Sequence, residues 1–160
     1  METVIEFVAD PTTGEQPVLE FIRQLAVEGR NDPDKMQLYK LIIRGLDFLK
    51  RYGLQESFKK YFETHSEDGK PYTIMLVKPL RNHVPLIEFR VNWKAAGAFR
   101  AVFFEHQIDD TRILLFVQSV VKQTTHDLKF ERIVQETETV HSNFLLHPEQ
   151  YINLLGDGKP

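Results

Sequence analysis

The chain has 160 residues, enough for one domain with a real core, and 42% hydrophobic against 27% charged residues excludes a disordered or fibrous class. The absence of cysteine excludes a disulfide framework and thiolate metal sites. A net charge of −3 excludes a protein that grips nucleic acid with its whole surface, so any phosphate binding must come from a local patch.

The acidic start, Met1 to Glu6, lacks the basic region and apolar stretch of a signal peptide. No apolar run approaches the roughly 20 residues that span a bilayer. A cytoplasmic protein without a membrane partner is therefore expected. Residues 3–8 read as an opening strand, and Asp10-Pro11-Thr12-Thr13-Gly14 as a turn. Pro17 suits a helix start, and Val18, Phe21, Ile22, Leu25 and Gly29 fall on one helical face. A second helix follows, capped by Asn31 or Asp32 with Pro33 just inside. Its inward positions are Tyr39, Ile42, Ile43, Leu46 and Leu49, and Gly53 ends it.

The stretch 63–75 reads as an inserted polar loop, ending in Asp68-Gly69-Lys70-Pro71. Four strand-like runs lie at 72–78, 86–92, 99–106 and 112–122, joined by short connections, which predicts an antiparallel meander. Thr124 or Thr125 is expected to cap a third helix, with Asp127 in its first turn and Phe130, Ile133, Val134, Thr137 and His141 facing inward. A short last helix is expected within 149–155. The order predicts an α+β fold: an N-terminal strand and helical hairpin on a mainly antiparallel sheet, followed by a C-terminal helix. Residues 1–146 form the single domain, with 147–160 as a short helix and tail.

Three cations interrupt these apolar strands. Arg90 ends Leu86-Ile87-Glu88-Phe89-Arg90, Arg100 opens Arg100-Ala101-Val102-Phe103-Phe104, and Lys122 closes the last strand. An unpaired buried charge is costly, so each needs a partner or a purpose. The period of two places Glu88, Arg90 and Asn92 on one face, opposite Ile87, Phe89 and Val91. Glu88 and Arg90 could pair with Arg100 and Glu105 across strands. Alternatively, the cations could share an anion, with Lys122, Thr124, Thr125 and His126 as a corner beside a helix N-terminus. The six histidines show no paired metal-ligand spacing, so no metal is assigned.

Taken together, these runs resemble the RelE/ParE superfamily of toxins from type II toxin–antitoxin systems, in its HigB-like, phage-derived branch. The resemblance rests on Lys78-Pro79-Leu80-Arg81 leading into the strand at 86–90. It also rests on Phe99-Arg100-Ala101-Val102-Phe103-Phe104, on Ser119-Val120-Val121-Lys122-Gln123-Thr124, and on the helical hairpin, and it spans about residues 4–137. Gln123 stands where the family pattern has a second lysine. The resemblance implies a metal- and cofactor-independent endoribonuclease that cleaves messenger RNA, usually on the ribosome, and a helix-turn-helix antitoxin that covers its active face. It implies Arg100, Lys122, Arg90, Glu88 and His126 as catalytic residues, and Lys78, Arg81, Thr124 and Lys129 as RNA-binding residues. Two alternatives accompany it: a non-enzymatic, ParE-like gyrase inhibitor, and a non-toxic phage or prophage interaction protein.

Overall fold

The computed structural model describes residues 1–124 and 127–152. Strand β1 (Glu2–Phe7) leads through the Asp10 turn, where the Asp10 carboxylate accepts from the N–H groups of Thr12 and Thr13, into helix α1 (Pro17–Glu28). Val18, Ile22 and Leu25 bury its inner face. Helix α2 (Pro33–Ser57) is capped by Asp32, whose carboxylate accepts from the N–H groups of Asp34 and Lys35 at 3.1 and 3.2 Å. Gly53 breaks the regular helix with φ 82°, a conformation glycine adopts without penalty, and one further turn runs to Ser57.

The inward stripe of α2 is Leu38, Leu41, Ile42, Leu46 and Leu49. Ile43, expected on that stripe, is 41% exposed. At about 100° per residue it lies roughly 140° round the helix from Leu38. Gly45 lets α2 ride directly on the sheet, since a Cβ there would meet Leu76 at 3.0 Å and Phe89 at 3.1 Å.

Two expectations are corrected beyond α2. The stretch 63–75 is a hairpin, not a loop: β2 (Phe62–His65) pairs antiparallel with β3 (Pro71–Ile74) as a separate two-stranded sheet. The single strand expected over 72–78 is consequently two. The second is β4 (Val77–Pro79), and Leu76 and Val77 are both buried, which ends the alternation of the first. The main sheet continues with β5 (Ile87–Trp93), β6 (Gly97–Ile108) and β7 (Thr111–Lys122), followed by α3 (Leu128–Leu146). A 3-10 turn at Pro148–Gln150 stands where the last helix is expected, and the rest of that segment lies outside the described residues.

The fold is α+β. The main sheet has the order β1-β7-β6-β5-β4, an antiparallel meander from β4 to β7 with β1 added parallel to β7. Edge strand β4 is short and carries Lys78 and Pro79, which discourages further pairing. One sheet face buries Phe89, Phe99, Phe103 and Phe116 beneath α1 and α2. The other buries Phe104, Ile113, Leu115 and Val117 beneath Ile133, Val134 and Phe144 of α3.

The cap of α3 is Asp127, which accepts from the N–H of Lys129 at 2.8 Å, rather than Thr124, and Thr125 lies outside the described residues. Thr137 bonds back to the carbonyl of Ile133 at 2.7 Å. His141 stands edge-on to Phe104 at 4.7 Å and His106 edge-on to Phe144 at 4.9 Å. Burial lowers the pKa of both imidazoles. The unfolded chain, with imidazoles near 6.5, therefore binds more protons just below that pH. The stability these rings confer is complete above about pH 6.5 and declines as the pH falls from there toward the lowered values. Urea midpoints should drop between pH 7 and pH 5.5, and a flat profile over that window would contradict the assignment.

Candidate active face

The cross-strand register arranges the cations in rows. Arg90 of β5 lies opposite Arg100 of β6, which lies opposite Val120 of β7. One row toward the strand interiors, Lys78, Glu88, Val102 and Gln118 align. One row outward, Asn92, Ala98 and Lys122 align. All of these belong to the sheet face that also carries α3.

Lys122 reaches that face only because of a β-bulge. Phe104 pairs with Leu115 and His106 with Ile113, so odd positions of β7 share their face early in the strand. The register then shifts between Val102 and Phe103, leaving Val117 as the extra residue, and even positions take over. A regular ladder would send Lys122 to the opposite face, because one residue of slip inverts every later side chain. From sheet spacings of about 4.8 Å between strands and 3.4 Å per residue, the Cα atoms of Arg100 and Lys122 lie about 8 Å apart.

The side chains are held differently. Arg100 is central: its Nη1 donates to Asn92 Oδ1 at 2.7 Å and to the Phe99 carbonyl at 2.9 Å, and its Nε lies 3.6 Å from Glu88 Oε2. The Glu88 and Arg100 side chains are 8% and 13% exposed, so this is a mostly buried ion pair. Desolvation lowers the Arg100 pKa, the Glu88 carboxylate opposes that, and neighbouring Arg90 adds to it. Tyr72 braces the same corner, its hydroxyl donating to the Asn92 carbonyl at 2.9 Å and accepting from the Asn92 N–H at 3.0 Å.

Arg90 has a structural duty. Its Nε and Nη2 donate to the Met75 carbonyl at 3.4 and 3.3 Å, clamping the break between β3 and β4. The cross-strand pairing expected of Glu105 with Arg90 does not form; Glu105 takes both contacts from Arg112 Nη1 at 3.2 Å instead. Lys122 lays its ammonium 5.0 Å above the Phe130 ring, at the first turn of α3. Gly97 opens β6 with φ 103°, and a Cβ there would meet Val121 at 2.6 Å and Gln123 Nε2 at 2.8 Å. The glycine thus seats Gln123 beside the outer row.

The remaining candidates divide. Lys78 is exposed at the sheet edge, opposite Glu88, and makes no ion pair among the described residues. Thr124 and Lys129 are exposed close to Lys122 in the chain, before and within the first turn of α3. Arg81 lies in the β4–β5 connection, at the other end of the strands from Lys122, so these two cannot share one phosphate. His126 lies outside the described residues. Sequence reasoning misses three participants. It places Asn92 on the face without a role, while Gln118 reaches the face through the bulge and Tyr72 braces the Asn92 backbone from the hairpin.

Helix α3 lies over β7 and β6 and runs from Phe130 beside Lys122 to Phe144 beside His106. Across it, His83 of the β4–β5 connection contacts Glu138 at 3.0 Å. The β5 side of the face is thus bordered by α3 and by this connection. Among the described residues no group of three or more histidines or carboxylates converges as a metal site. No helix among them is long and apolar enough to cross a membrane.

Comparison with protein-family models, curated proteins and solved structures finds no match.

Proposed function

We propose that the protein is a RelE-like toxin that cleaves messenger RNA on the ribosome, with the Arg90–Arg100–Lys122 face as its active face. The observation that carries this reading is the Arg100–Glu88 pair. A guanidinium and a carboxylate are held 3.6 Å apart across the neighbouring strands β6 and β5, with a second arginine and a lysine on the same face. That combination suits cleavage by the 2′-hydroxyl. Glu88 removes the 2′-proton, the 2′-oxygen attacks the adjacent phosphorus, and the bond from phosphorus to the 5′-oxygen breaks. Arg100 offers planar donors to the phosphate oxygens as charge accumulates, and Lys122 adds a point charge. A protonated group returns a proton to the leaving 5′-oxygen; His126 is the resemblance's candidate. The products are a 2′,3′-cyclic phosphate and a free 5′-hydroxyl. Lys78, Thr124 and Lys129 hold flanking phosphates in this reading. The natural partner is a helix-turn-helix antitoxin covering the same face, and the site of action is the cytoplasm.

Inducing the chain in a bacterial host should halt growth within a generation, and mapped RNA ends should carry 5′-hydroxyls at cuts absent before induction. Growth arrest with intact messenger RNA and a DNA-damage response would favour the gyrase-inhibitor alternative. Healthy growth without any partner present would favour the non-toxic one.

A further inference from the structure

The charge of this protein is unevenly placed. Residues 40–60 carry six cations (Lys40, Arg44, Lys50, Arg51, Lys59 and Lys60) against two acids (Asp47 and Glu56), a net of +4 in a chain whose total is −3. Most of this segment is the second half of α2, whose inner side is packed on the sheet face opposite the candidate active face. Its outer side and the β2–β3 hairpin enclose a groove of about 560 Å³.

Three features of the groove bear on what fills it. Arg44, Asp47 and Arg51 follow one another at helical spacing along α2, and Lys60 faces them from the segment entering β2. Asp47 and Glu63 are the acids of its lining, fewer than the cations. Two tyrosines stand among these charges: Tyr52 is 39% exposed and Tyr61 is 59% exposed. Tyr52 packs on Phe48 with ring centroids 4.7 Å apart, and the Lys60 ammonium lies 4.1 Å from its ring centre. Tyr61 makes no hydrogen bond or ring contact among the described residues, and neither does Arg51 form an ion pair there. Arg44 donates to the His65 carbonyl at 3.2 Å, and a Lys40–Glu67 ion pair joins the helix to the hairpin.

We propose that this groove binds a single-stranded polynucleotide, separately from the candidate active face. Arg44 and Arg51 line one wall and Lys60 faces them, so a phosphate backbone lying between them meets cations on both sides. The exposed Tyr61 ring supplies a stacking surface that any base can use. An acidic protein segment would satisfy the cations but would leave Tyr61 without a reason to be presented. The groove lies on the far side of the sheet from Arg100, so one short strand cannot fill both. The proposal rests on the RNA-cleaving reading only for the preference it expects for RNA over DNA.

The test is fluorescence anisotropy with the full chain and labelled oligonucleotides of about ten nucleotides. One probe is 2′-O-methyl RNA, which cannot be cut through its 2′-oxygen, and the other is DNA. The double variant R51A/K60A and the single variant Tyr61→Ala should each weaken binding by about tenfold, and Tyr61→Phe should retain it. The slope of log affinity against log salt should fall by about 1.4 in the double variant, since each phosphate neutralised on a single strand contributes about 0.7. Unchanged affinity in R51A/K60A and Tyr61→Ala overturns the proposal. So does displacement of the probe by polyglutamate combined with indifference to Tyr61→Ala, the result expected of a surface for an acidic protein. A chain that leaves messenger RNA uncut on induction yet needs Tyr61 and Arg51 for binding defeats the ribonuclease reading alone. A chain that cuts RNA and ignores these variants defeats the groove alone.

Discussion

On the proposed ribonuclease reading, replacing Arg100 should reduce RNA cleavage by about 10²–10³-fold, the loss typical when one charge-stabilising donor is removed from a transition state. Arg100→Ala alone is an ambiguous test, because it leaves the Glu88 carboxylate, 8% exposed, without its cation. An uncompensated charge at such a position costs roughly 3 kcal/mol, and a stability loss of that size confounds lost chemistry with lost folded protein. The double variant R100M/E88L removes both charges and keeps apolar bulk, and pairs replaced in this way are often neutral or stabilising. It should therefore melt close to the unaltered protein while leaving growth and messenger RNA intact. A well-folded double variant that still arrests growth would remove Arg100 and Glu88 from the chemistry. Arg100→Lys adds a second diagnostic: a point charge cannot reproduce the planar fork, so it should fold and recover only part of the rate.

Phe116→Ala should destabilise the fold by about 3–5 kcal/mol, a large share of the stability of a domain this size. The Phe116 ring stacks on Phe103 with centroids 4.5 Å apart and 5° between planes. It also meets Phe89 edge-on at 5.8 Å and Phe7 at 6.2 Å. It therefore links β7 to its neighbours β1 and β6 and, through Phe89, to β5 beneath α1 and α2. Removing it leaves a cavity that rigid aromatic neighbours cannot collapse into. The urea midpoint should fall sharply with the slope unchanged, as expected when stability changes but the unfolded state does not. A loss below about 1 kcal/mol would mean that the stack does not organise the core.

How far the sequence can be read depends on whether a feature is local. Asp32-Pro33 marks a helix start within three residues, and α2 begins there. The alternation of β5 separates Glu88, Arg90 and Asn92 from Ile87, Phe89 and Val91 without outside information, and the register agrees. The β2–β3 hairpin is within reach of the sequence and yet reads as a loop. Phe62 and Thr64 alternate with polar residues, as do Tyr72 and Ile74, and Asp68-Gly69 lies between them. Its low hydrophobicity masks a period of two. Lys122 is the opposite case. It arrives on the correct face through the bulge at Val117, and the unbroken apolar run from Ile113 to Val117 contains no sign of a shift. The dual role of Arg90 is equally hidden, because the Met75 carbonyl that it grips belongs to a strand break set by tertiary packing.

The position of β1 has a consequence for how the protein comes into being. Glu2 pairs with Thr111 and Phe7 with Phe116, so β1 finds its partner only after more than a hundred further residues have been made. Closing so long a loop is the slow kind of step in folding. The meander from β4 to β7 and the helical hairpin are local and can form first. During translation, β1 must stay unpaired beside α1 and α2 until β7 leaves the ribosome, and β7 offers an open edge until β1 docks. A chain cut short before residue 111 therefore lacks the partner for β1, and the main sheet cannot close until β7 has been made.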